Sequence, residues 1–477
     1  MSAPDMARRS PLEPEPDPPL ESSAVTSYAL FALPLAMVAL PVYLFAPPLY
    51  VRGGGLALAQ VGAVLLAVRV LAALADPLFG WWMARNRRGY AWHAALSLPP
   101  LMAGYGALFH PPALSGAGLL AWFAAALVLV YLGYGLATIA HQSWGAAIAA
   151  LPSDRVRLMS AREGCGLLGA VLAAGCSGVL GYGALALVFG ACLLPAAWLL
   201  LRRVPRPAGG GLAAEANPLF TLATPWREPR FRALFAVYAV SALAGAVPAT
   251  LFVFFAADRL LLPDSWAGPL LVLYLLAAAA SMPLWSALAR RWGEIAAWQA
   301  GMLLSALIFI WAYALGPGDG AAFAAICVLT GIAGGADLAL PPALLAGLIA
   351  APGRADAAAA TAGRAPSAAP YFAWWNWCGQ LALALAAGAT LPMLALLGYE
   401  PGGASPGPGT GPGPGPGPAA GAAAEIGEAA AMAVATQGSG VLAAAYALLP
   451  CALKLLAWLM LMRAAKASLN DLNRRRA

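Results

Sequence analysis

The chain has 477 residues, of which 62% are hydrophobic and 10% charged, with a mean hydropathy of +0.76 and a net charge of +7. A soluble globular chain carries about 25% charged residues, so a core surrounded by water is excluded and the solvent must be lipid. The basic residues sit in short loops between apolar runs, which points to membrane topology and away from nucleic acid.

Apolar runs of about 20 residues recur along the chain, each long enough to span a bilayer. A backbone in lipid must satisfy itself, which leaves helices or a closed barrel. Barrel strands alternate apolar and polar side chains. These runs do not, so the fold class is an all-α membrane protein. Residues 1–24, rich in proline and charge, form no signal peptide and are expected to be a disordered cytoplasmic tail. About twelve spans follow, roughly at 25–48, 56–84, 91–109, 116–150, 160–182 and 184–202, then 230–256, 266–289, 295–315, 321–350, 368–397 and 437–464. The connection 203–229 divides them six and six, giving bundles over 25–202 and 230–464 with a short tail at 465–477. The Gly/Pro-rich stretch within 399–424 is expected as an extended outer loop.

Loop charges orient the spans. Arg85, Arg87, Arg88, Arg155, Arg157, Arg202, Arg203, Arg206, Arg227, Arg290, Arg291, Arg354 and Arg364 fall in alternate loops. The opposite loops hold little more than Arg52 and Arg259. This asymmetry places both termini in the cytoplasm, in a cell (inner) membrane. A weak internal repeat matches "DPLFGWWMARNRRG" in span 2 with "MPLWSALARRWG" in span 8, pairing Pro77 with Pro283 and Asp76 with Met282. The repeated features read as scaffold; the carboxylate is what the repeat does not need. Cys165, Cys176, Cys192, Cys327, Cys378 and Cys451 lie scattered in apolar segments and read as small apolar residues.

Four stretches carry a family resemblance: "DPLFGWWMARNRRG" in span 2, "RVRLMSAREGCGLLGAVLA" leading into span 5, "GGADLALPPALLAGLI" in span 10 and "YFAWWNWCGQLALALAAG" in span 11. In them the chain resembles the major facilitator superfamily and, more narrowly, the glycoside–pentoside–hexuronide:cation symporters related to melibiose permease. The resemblance implies two six-helix bundles around a central cavity, alternating access, and small sugar-like solutes coupled to Na+, Li+ or H+. The chain departs from the melibiose branch at several positions. The first of two span 2 aspartates falls at Ala72, leaving Asp76; the span 11 lysine falls at Gln380. The acidic pair of span 10 falls at Gly347 and Ala350, and the sugar-binding aspartates of spans 1 and 4 fall at Ala36 and His141. A sodium site built from two carboxylates does not carry over.

Charges inside a membrane cost about 2.5–3.5 kcal/mol each on insertion scales and mark bundle interiors or wet cavities. Asp76 lies two turns below Arg69 on span 2 and is either a latch paired with an arginine or a cation or proton site. A lone carboxylate suits H+ better than Na+. Asp337, the only acidic residue within span 10, reads with Asp76 and Arg69 as a coupling or gating residue, a structural salt bridge being the alternative. His141 in span 4, beside Trp144, falls where the resemblance places a substrate carboxylate; a backbone-bonded histidine is the alternative. Arg162 and Glu163 open span 5; they point about 100° apart and need not pair. The resemblance turns Arg162 toward the cavity, where a guanidinium binds hydroxyls or a carboxylate; a snorkelling arginine is the alternative. Tyr371, Trp375 and Asn376 crowd span 11 with Gln380 and suit either a sugar ring or an interfacial anchor.

These features read as a cation-coupled secondary transporter of a small polar solute, acting as a monomer and needing no cofactor beyond a coupling H+ or Na+. The rival readings are a transporter of lipid-like solutes and a non-transporting sensor or scaffold. No phosphate loop, metal-ligand cluster or nucleophile paired with a base points to an enzyme.

Overall fold

The computed structural model describes residues 19–44, 46–86, 88–149, 151–207, 218–350, 367–397, 399 and 440–476. The expectations for most of the N-terminal tail, for the middle of the linker, for Arg87, Arg354 and Arg364, and for the Gly/Pro-rich loop lie outside these residues. Among the described residues the chain is helical without strands, and ten helices are long and apolar enough to cross a membrane.

Span 1 begins with Ser22–Leu30 and resumes as Ala32–Leu44. The break at Phe31 has a local cause: Pro34 lacks an N–H and its ring crowds the carbonyl of Leu30. Spans 2, 3 and 4 are Leu58–Arg85, Gly89–Phe109 and Gly116–Ile148. Spans 5 and 6 share one uninterrupted helical stretch, Pro152–Arg203, of 52 residues. At its start Arg155 Nε donates to Ala149 O at 3.2 Å, and just past its end Pro205 O accepts from Trp144 Nε1 at 2.8 Å. Both ends therefore sit beside the end of span 4, so the stretch doubles back and crosses twice.

The second half repeats the plan with Pro229–Phe254, Ala267–Trp292, Glu294–Phe309, Gly320–Ala350, Ala369–Leu396 and, after a π-turn, Leu449–Arg476 as spans 7 to 12. A π-turn follows span 1 at Leu49–Gly53 and another ends span 7 at Phe255–Arg259, at matching places in the two halves. Pro77 and Pro283 both lie inside their helices. Prolines persist in such spans because neighbouring helices re-satisfy the freed carbonyls. The linker helix Pro218–Arg227 packs against span 2 of the N-terminal bundle and spans 7 and 11 of the other, and on the latter side Trp226 meets Phe235 and Trp374 at ring distances of 4.9 and 5.4 Å.

The start of span 1 and the later turns of span 12 approach the same end. Leu20 N donates to Asp154 Oδ2 at 3.1 Å at the start of span 5, and Leu461 of span 12 belongs to the same buried apolar cluster as Val156 and Met159 from that start. The bundles join in the half of the molecule nearest this terminal end. Span 2 meets span 11 at Gly80, where an added Cβ would lie 2.6 Å from Ala373 Cβ and 2.9 Å from Ala369 O. Span 5 meets span 8 through the 2.8 Å bond from Ser286 Oγ to Ser160 Oγ and the close approach of Gly164 to Met282. The two junctions occupy equivalent places in the repeat.

Candidate functional site

Asp76 is the centre of the first junction. It is 1% exposed, and its Oδ2 accepts a 2.7 Å hydrogen bond from Gln380 Nε2. This bond crosses from the N-terminal to the C-terminal bundle. Glycines make the approach feasible: a Cβ on Gly135 of span 4 would lie 2.7 Å from Asp76 Oδ1. Asn376 lies one turn before Gln380 on the face that Ala373 turns to span 2, and its Nδ2 is buried without a hydrogen-bond partner. Arg69 is half-buried two turns along span 2.

Next to this junction is a cavity of about 110 Å³ between spans 1, 4 and 5. Ala36, Tyr134, Thr138, Arg162, Glu163 and Gly166 line it. Ligand pockets usually run to about 300–1,000 Å³, so the space as seen fits a small solute or part of a larger one. Arg162 Nη1 pairs with Glu163 Oε1. Although adjacent positions diverge on a helix, these two long side chains fold toward each other. The pair presents donors and acceptors side by side in a low-dielectric wall, which suits a hydroxyl-bearing solute better than a lone charge does.

The cavity and the junction share neighbours. Tyr134 lines the cavity and precedes Gly135, which backs Asp76. Tyr238 of span 7 lies within electrostatic reach of Arg162 and Glu163, and a Cβ on Gly379 would meet its hydroxyl at 3.2 Å. Gly379 immediately precedes Gln380. The Tyr238 ring in turn stacks on Trp375, with centroids 3.7 Å apart and planes 13° apart. Asp76, Gln380, Tyr238, Trp375 and the Arg162–Glu163 pair thus form one continuous region across both bundles.

Other sequence-predicted residues lie elsewhere. His141 is fully buried, and its Nε2 bonds Tyr28 O at 2.9 Å while Tyr28 Oη donates to His141 O at 2.9 Å. This reciprocal clasp ties span 4 to span 1, and His141 does not line the cavity. Trp144 is likewise fully buried, held by its bond to Pro205 O. Tyr371 packs edge-on to Phe231 at 5.3 Å. Trp374 Nε1 donates to Leu222 O at 3.0 Å, so this tryptophan fastens the linker helix.

Asp337 belongs to a separate network inside the C-terminal bundle. Its Oδ2 lies 2.7 Å from Lys454 Nζ, and its Oδ1 accepts from Trp298 Nε1 at 2.9 Å and Ser241 Oγ at 3.1 Å. The structure thus does not bring Asp337 to Asp76. Lys454, Trp298, Ser241 and Tyr28 escape the sequence reading. Lys454 had a signal, being a lone basic residue inside the apolar run "YALLPCALKLLAWLMLM".

Among the described residues no group of His, Cys, Asp or Glu is placed to hold a metal ion. Comparison with solved structures shows the fold. The chain is similar to a bacterial homologue of the iron transporter ferroportin in an outward-facing state (16% identity, TM-score 0.65, 93% of this chain and 98% of that one). It is similar to FucP, a Major Facilitator Superfamily transporter in the outward conformation (12% identity, TM-score 0.62, 93% and 98%). It is also similar to the human organic anion transporter MFSD10, or TETRAN (17% identity, TM-score 0.61, 92% and 98%). A search of curated proteins returned no match. The sequence profile described as MFS/sugar transport protein matches residues 27–466. With two six-helix bundles, a junction crossed by a buried carboxylate and a match over nearly its whole length, the chain belongs to the MFS/sugar transport protein family of the major facilitator superfamily.

Proposed function

We propose that this chain is a proton-coupled symporter of a small, sugar-like polar solute, of the glycoside–pentoside–hexuronide:cation type, with Asp76 as the coupling carboxylate. The observation that carries this reading is the Asp76–Gln380 hydrogen bond, a buried carboxylate bonded across the boundary that alternating access must break.

An ionised Asp76 holds Gln380 by a charge-assisted bond, about 1.5–3 kcal/mol against about 0.5–1.5 kcal/mol for a neutral one. Protonation therefore weakens the junction. The carboxamide can still turn to accept the new O–H, so the bond is loosened without leaving a buried group unpaired. With both termini in the cytoplasm, the joined half is the cytoplasmic half and the conformation faces outward. A proton arriving from outside then favours opening of the cytoplasmic end. Sodium fits less well, because Gln380 presents a donor to the carboxylate and Ala72 supplies no second one.

The solute contacts the Arg162–Glu163 pair, Tyr134 and Thr138 from the N-terminal bundle and the Tyr238–Trp375 stack from the other. Asn376, with its unpartnered amide, completes the polar edge near Gln380. The test is uptake into proteoliposomes of a panel of sugars, glycosides and hexuronates under an inward proton gradient. Accumulation of one class above empty liposomes supports the reading. No uptake of any member overturns it.

A further inference from the structure

Lys454 is one of two lysines in the chain, the other being Lys466, while every other basic side chain among 27 is arginine. Its position is not a loop but the interior of the apolar stretch Gly440–Lys466 that forms span 12, where it is 7% exposed. Its Nζ lies 2.7 Å from Asp337 Oδ2, 2.8 Å from Ser241 Oγ and 3.4 Å from Ser241 O. The nitrogen thus occupies a nest of carboxylate, hydroxyl and helix-carbonyl oxygens contributed by spans 7 and 10. Carboxylate and carbonyl oxygens are the ligands that hard cations take, and a hydroxyl oxygen is a donor of the same kind. An ammonium is a compact point charge that can fill such a nest; a planar guanidinium is not.

We propose that Asp337 and Ser241 form an alkali-cation site whose resident ion is the chain's own Lys454 ammonium. The tethered cation cannot diffuse away, so the place an exchangeable ion would take in the C-terminal bundle is already filled. Trp298 and Ser241 satisfy the remaining carboxylate oxygen, which keeps the filled site closed. Asp337 is thereby withdrawn from binding an exchangeable ion. This inference concerns the C-terminal bundle and stands whether or not Asp76 couples transport.

Thermal melting of purified protein in choline, sodium, lithium and methylammonium chlorides at equal ionic strength tests it. All variants carry Asp76→Asn, so that no ion held at the junction contributes. The Asp76→Asn parent is expected to melt at one temperature in all four salts. Adding Lys454→Ala is expected to lower the melting temperature in choline, on the order of 10 °C. Sodium, lithium or methylammonium, each small enough to enter the vacated nest, should restore much of that loss. Lys454→Met with Asp337→Asn removes both charges and is expected to melt near the parent in every salt. The proposal is overturned if that double variant behaves so while Lys454→Ala melts equally low in all salts or folds in none. It is also overturned if choline restores stability as well as sodium does.

Discussion

Replacing Gln380 by leucine removes the donor that Asp76 uses across the bundle boundary. The bond is 2.7 Å long and its acceptor is 1% exposed, so water has little room to take the amide's place. A hydrogen bond to an ionised partner contributes about 1.5–3 kcal/mol. Because the bond joins one bundle to the other, its loss acts on the opening of the terminal end more than on the stability of either bundle. Since 1.4 kcal/mol is a factor of ten, Gln380→Leu should raise the open-to-closed ratio at that end by roughly 10- to 100-fold. Asp76→Asn keeps a neutral bond and should shift it less, by about one order of magnitude. Spin labels at Ser153 and Arg290, exposed positions at the terminal ends of spans 5 and 8, report the opening as a distance distribution. A distribution unchanged between wild type and Gln380→Leu would refute the reasoning, because the bond would then not hold the bundles together.

Two further predictions follow from named contacts. Gly80→Val places a methyl-bearing carbon against Ala373 and the span 11 backbone, which cannot yield as a flexible side chain would. Transport should fall more than 10-fold by this steric block with melting little changed; wild-type uptake would show that the junction closes elsewhere. Tyr28→Phe removes one of the two bonds of the His141 clasp and should lower stability by about 1 kcal/mol, read as a small drop in melting temperature, with solute uptake retained. Loss of uptake at full stability would place Tyr28 in the solute path instead.

Ten of the expected spans were legible because lipid imposes long, uncharged helices, and apart from the first their ends fall within about three residues of the apolar runs. Span 1 and the span 5–6 stretch differ for local reasons: Pro34 breaks the first, and helical backbone continues through the turn of the second. Single charges such as Asp76 and Asp337 stood out against apolar surroundings, and Gln380 and Lys454 were visible as polar residues in apolar runs, but the pairing of each with its carboxylate was not. Gln380 lies 304 residues from Asp76 and Lys454 lies 117 from Asp337, and one sequence carries no sign of which helices touch. The Arg162–Glu163 pair shows the opposite limit. Helical geometry alone separates adjacent side chains, while their length and burial bring them together. Tryptophans of span 11 divide their roles for the same reason: Trp374 meets the linker helix and Trp375 meets Tyr238, contacts that only the packed bundle creates.

The most direct test of the coupling claim is solute-driven proton movement in proteoliposomes, measured with wild type beside Asp76→Asn. Addition of a transported solute should alkalinise the outside with wild type, and the mutant should bind or exchange the solute without moving protons. Solute transport that moves the same number of protons in Asp76→Asn, or none in wild type, would contradict the assignment of coupling to this carboxylate.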